Sequence, residues 1–93
     1  MKQRSIAQLQ NIVWQHLNPG KTQAFIFGSH AANTTWRGSD IDLGIQGDVS
    51  TTQLASLREA LENSTIPYSV DVVNFNQMNQ DFVKLAKTKT IPL

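Results

Sequence analysis

The sequence predicts a mixed α/β (α+β) domain, a small mixed β-sheet flanked by helices. Two observations lead to this class. Apolar spacing switches between the helical and strand periods several times along the chain, and the junctions between the periodic segments are short and rich in turn residues. A third bounds it: 93 residues, 1–93, are expected to form one domain with a modest core and no separate lid or substrate domain.

Residues 5–17 carry Ile6, Leu9, Ile12, Val13 and Leu17 on one helical stripe, and "NPG" at 18–20 stops it. "QAFIFG" at 23–28 is too short for a helix and lies between turn residues, which reads as a buried strand. A turn or short helix is expected next, followed by "DIDLGIQG", in which Ile41, Leu43 and Ile45 alternate with Asp40, Asp42 and Gly44 as in a second strand. Ser50 and Gln53 have the spacing of a capping box. Leu54, Leu57 and Leu61 then make the core face of a second long helix, with Arg58 and Glu62 placed to pair at i,i+4. "YSVDVVNF" is a third strand by its β-branched and aromatic content. Met78, Phe82 and Leu85 are spaced for a last helix, and "TIPL" suits a short edge strand, where proline is tolerated.

Composition removes several function classes. No cysteine is present, so disulfides and zinc–thiolate sites are out. A formal net charge of +1 with scattered lysines and arginines gives no stripe for direct nucleic-acid binding. No stretch approaches the roughly eighteen apolar residues of a membrane span, and "MKQRSIAQLQ" lacks the apolar segment of a secretion signal, so a cytoplasmic protein is expected.

The acids are distributed unusually, because three of the seven fall in strand-like segments, where acids are normally depleted. Asp40 and Asp42 alternate along one strand and so point to the same side, with about 7 Å between their Cα atoms. Two like charges at that spacing repel unless a cation or proton intervenes. Hard oxygen donors with no His or Cys beside them favour Mg²⁺ or Mn²⁺ over zinc. Asp71, between Val70 and Val72, is expected to be buried and therefore partnered, and it completes a three-acid site if its strand lies beside the second. Gly28-Ser29, followed by "HAAN", suits a turn into a short helix whose free N–H groups donate to phosphate oxygens. Metal-bound phosphate beside such a turn points to nucleoside triphosphate chemistry.

These residues, Gly28-Ser29, then Asp40-Ile41-Asp42-Leu43, then Val70-Asp71-Val72-Val73, resemble the minimal nucleotidyltransferase (MNT) proteins of the polymerase-β-like superfamily, in particular the antitoxins paired with HEPN toxins. The resemblance runs from the first helix to the C-terminus. It implies the polymerase-β-like nucleotidyltransferase fold and Mg²⁺-dependent transfer of AMP from ATP to a tyrosine hydroxyl of a cognate HEPN ribonuclease in a hetero-oligomer. On that analogy Asp40 and Asp42 hold the metal ions, Asp71 helps hold the second ion and activates the acceptor oxygen, and Gly28 and Ser29 position the phosphates. Arg37 is a further phosphate-contact candidate. Members often read G-S-R-A-R-G after the first strand, whereas His30, Ala32 and Asn33 stand here, leaving Arg37 and Lys87 as cations that compensate in part. The departure implies weak activity or an altered acceptor.

Two other functions compete: a non-catalytic antitoxin that acts by binding alone, and a stand-alone transferase acting on a small hydroxylated molecule. For the acids, the competing structural reading is three surface carboxylates at strand ends, which the combined spacing disfavours. His30 suits a phosphate donor and a solvated loop residue equally. His16 reads as structural, Trp36 as packing over the sheet edge or stacking on a base, and Trp14, off the centre of the first helical stripe, as a protein-interface candidate.

Overall fold

The computed structural model describes residues 3–27 and 41–93. Helix α1 (Gln3–His16) leads into β1 (Thr22–Phe27), and β2 (Ile41–Gly47) is followed by α2 (Thr51–Glu62) and β3 (Val70–Asn74). A 3₁₀ turn (Phe75–Gln77), helix α3 (Gln80–Ala86) and strand β4 (Ile91–Pro92) complete the chain. The turn or short helix expected between the first two strands lies outside the described residues.

The four strands form one mixed sheet in the order β3-β2-β1-β4. β1 is antiparallel to β2 and to β4, whereas β2 and β3 are parallel. A parallel pair needs a crossover rather than a hairpin, and α2 supplies it. Its start is fixed by the expected capping box: the Gln53 N–H donates to Ser50 Oγ at 3.0 Å, and the Ser50 N–H donates to Gln53 Oε1 at 2.9 Å.

Alternation sorts the strand residues onto two faces. On the first, Ala24, Ile26, Ile41, Leu43, Ile45 and Val72 meet Leu9, Val13 and Leu17 from α1 and the turn after it, and Leu54, Leu57 and Leu61 of α2, in one buried cluster. Each of its valine, leucine and isoleucine side chains contributes roughly 1.5–3 kcal/mol by leaving water, so this layer supplies most of the cohesion. The second face carries a smaller cluster of Phe25, Phe27 and Phe75, against which Val73 and the α3 residues Val83 and Ala86 pack. Phe75 meets both other rings edge to face with centroids 4.9 Å apart. Gly44 makes room for them: a Cβ there would lie 2.5 Å from Phe25 Cε2 and 2.9 Å from Phe75 Cε1.

The last helix forms as expected, as the seven-residue α3, which starts after Met78 at an Asn79 cap that accepts from the Phe82 N–H at 2.7 Å. Val83 and Ala86 pack on the aromatic cluster, and Phe82, 39% exposed, meets Phe75 and Phe27 with ring centroids 5.8 and 6.3 Å apart, whereas Met78 and Leu85 are 40% and 73% exposed. One expectation is corrected here. Arg58 does not pair with Glu62; it donates to the Val72 carbonyl at 3.1 Å, because α2 lies against the outer edge of the sheet at β3.

Candidate active site

The two-residue period of β2 places Asp42 on the second face, the one that also carries Phe27. Parallel pairing opens with the Ile41 N–H donating to the Ser69 carbonyl at 2.7 Å, and this sets the register in which Asp42 lies directly opposite Asp71. Register partners on adjacent strands point to the same side, with backbones about 4.8 Å apart. Asp42 and Asp71 therefore share one face at the end of the sheet where β1 finishes and β2 and β3 begin. Phe27, opposite Asp42 on the other flank, ties this pair to the aromatic cluster.

Asp42 is half-buried and Asp71 exposed. The expectation of a buried, partnered Asp71 is thus corrected. A run of β-branched residues reads as a strand covered on both faces, but β3 is an edge strand, and its first-face residue Val72 carries the burial. Solvent around Asp71 removes the desolvation cost that the buried reading assumed.

Asp40, Gly28, Ser29 and Arg37 lie outside the described residues, as do His30, Ala32, Asn33 and Trp36. Among the described residues no group of three or more His, Cys, Asp or Glu side chains is placed to hold a metal ion. The pair that is described fits a hard divalent cation by its chemistry: two carboxylates on one face, one open to solvent.

The other singled-out residues fall away from the pair. Lys87 donates to Gln46 Oε1 and sits 5.7 Å from the Phe25 ring centroid. Gln46 is four residues along β2 from Asp42, about 13 Å at strand rise, so Lys87 does not replace the missing loop cations. His16 Nδ1 lies 2.9 Å from the Ile12 carbonyl, in keeping with a structural role. Trp14 is half-buried against the main core.

Two features were not anticipated. Asn76 donates through Nδ2 to the Gly47 carbonyl at 2.7 Å and accepts from the Gly47 N–H at 3.1 Å, fastening the far end of β3 to β2. Arg58 holds β3 from its outer side at Val72, one residue beyond Asp71. Neither had a local sequence signal, because each joins segments distant along the chain.

Among solved structures, the chain is similar to a tri-AMPylated Shewanella oneidensis HEPN toxin in complex with MNT antitoxin. The TM-score is 0.70 at 17% identity, covering 99% of this chain and 71% of that one. It is also similar to a toxin–antitoxin complex with AMP-PNP, with a TM-score of 0.69 at 20% identity, covering 99% of this chain and 72% of that one. At these identities the likeness establishes the fold. No curated protein sequence matches the chain. Residues 8–93, which include both strands that carry the acid pair, match the family described as polymerase beta, nucleotidyltransferase, and the chain belongs to that family.

Proposed function

We propose that this nucleotidyltransferase is an antitoxin that transfers AMP from ATP to a tyrosine hydroxyl of a cognate HEPN ribonuclease toxin, with Mg²⁺ as the required ion. The observation that carries the reading is the register of Asp42 opposite Asp71 on one face of the sheet. Family membership supports the reaction class. The partner is suggested by the neighbours, one of them a HEPN toxin carrying AMP in complex with its antitoxin and another a toxin–antitoxin complex with an ATP analogue.

In this reading Asp40, Asp42 and Asp71 hold the metal, and Gly28 and Ser29 seat the phosphates, with Arg37 as an additional cation. Bound Mg²⁺ supplies neutralisation of the triphosphate and of the attacking oxygen. The tyrosine oxygen bonds to the α-phosphorus, the α–β anhydride breaks, and pyrophosphate leaves. Asp71, being exposed, is open to the incoming hydroxyl and accepts its proton at a carboxylate oxygen. Half-buried Asp42 is the more fixed of the two.

The test is incubation with labelled ATP, Mg²⁺ and the HEPN protein encoded beside this one. Label is expected on the toxin, with loss of its ribonuclease activity, and Asp40→Asn combined with Asp42→Asn abolishes both. Neutralisation without label would replace transfer with inhibition by binding alone. Label on a small hydroxylated compound, and none on the toxin, would move the acceptor to another class.

A further inference from the structure

We propose that Arg58 is a positioning residue for Asp71, holding its carboxylate opposite Asp42 by tying the outer edge of β3 to α2. The inference rests on the reading of these carboxylates as part of a metal site. Among the described residues β3 is an edge strand, hydrogen-bonded to the sheet on one side, through β2. Its second residue, Asp71, stands directly opposite Asp42, and like charges directly opposite on adjacent strands push the strands apart. Among the described residues, no strand beyond β3 resists that push.

Beyond the β2–β3 ladder itself, the described residues hold the strand at its start, past its end and at its middle. At its start, the Ile41 N–H donates to the Ser69 carbonyl, and past its end Asn76 makes its two hydrogen bonds to Gly47. Between them, Val72 is buried in the main core, and its carbonyl accepts from the Arg58 guanidinium at 3.1 Å. This last bond is charge-assisted, the stronger class of hydrogen bond. It acts on the residue next to Asp71, from the side away from β2, where no strand among the described residues pairs with β3. Arg58 thus fixes the height and tilt of β3 where the second carboxylate leaves it, without itself lying on the face that carries the acids.

Mn²⁺ binding in the presence of a non-hydrolysable ATP analogue, read as the loss of the free-ion paramagnetic resonance signal, tests this without any acceptor protein. Arg58→Met keeps the aliphatic stem on an exposed helix position and removes the donors, and circular dichroism verifies that the variant is folded at the assay temperature. We expect Mn²⁺ affinity to fall roughly threefold to tenfold, less than the 10–100-fold loss typical of removing a group bonded directly to a metal ligand. Arg58→Lys, which still donates but without the planar fork, recovers part of the loss. In an Asp71→Asn background Arg58→Met causes no further loss, since the residue acts through Asp71. Wild-type affinity in Arg58→Met, or an equal loss with and without Asp71, would overturn the inference while leaving the metal site in place. Failure of the wild-type protein to bind Mn²⁺ would overturn the site reading and the inference together.

Discussion

Substituting Gly44 by alanine tests the packing that supports the acid-bearing face. The added methyl would meet Phe25 Cε2 at 2.5 Å, Phe25 Cζ at 2.8 Å and Phe75 Cε1 at 2.9 Å, all closer than Cβ atoms approach. Both rings are held: Phe25 is 6% and Phe75 2% exposed, and the two are packed edge to face. Two effects of opposite sign compete. Removing a glycine from a strand interior gains about 0.5–1 kcal/mol, and overpacking a filled site costs about 1–3 kcal/mol. Three contacts with two rings packed against each other place the cost at the upper end, for a net loss of about 2 kcal/mol. In a domain of this size that lowers Tm by roughly 8–16 °C. Urea and thermal unfolding followed by circular dichroism measure it. Phe25→Leu, which withdraws two of the three clashing atoms, should make the double variant more stable than the sum of the single effects. A Gly44→Ala protein as stable as wild type, or strictly additive effects with Phe25→Leu, would refute this account of the second face.

Leu57→Ala removes a fully buried side chain from the main core and is expected to cost about 2–5 kcal/mol in urea unfolding. Ser50→Ala breaks the capping box of α2 and should cost about 1 kcal/mol, read as a lower urea midpoint with an unchanged slope. Asp71→Asn relieves the opposition to Asp42 and is expected to stabilise the metal-free protein by a few tenths of a kcal/mol. In thermal shift assays that advantage should reverse on adding Mg²⁺ with an ATP analogue, because the wild-type protein alone gains the full binding energy. Leu85→Ser changes an exposed residue of α3 and should alter stability by less than about 0.5 kcal/mol by the same unfolding measurement.

Local signals in the sequence were sufficient for the elements. The Leu54–Leu57–Leu61 stripe and the Ser50/Gln53 pair define α2 through contacts within a few residues, and they appear as read. The alternation of "DIDLGIQG" likewise fixes which residues of β2 face the core. Pairing between distant segments was not legible in the same way. That β3 is an edge strand depends on what lies beside it, so the burial of Asp71 was misjudged from the apolar residues flanking it. The spacing of Met78, Phe82 and Leu85 announced a helix but not which side of it faces the sheet, a choice made by where the turn after β3 releases the chain. Arg58 had a nearby acid at helical spacing, yet its partner is a backbone carbonyl fourteen residues away that only the βαβ crossover brings within reach. The opposition of Asp42 and Asp71 stands between these cases: the strands are readable one by one, whereas their adjacency is only a condition in the sequence and is given by the register of the folded sheet.

Anomalous diffraction from crystals of the full chain grown with Mn²⁺ and a non-hydrolysable ATP analogue tests the central claim most directly. The account predicts a manganese peak in contact with the carboxylates of both Asp42 and Asp71. A peak that touches neither, or a nucleotide bound with no metal at this end of the sheet, would contradict it.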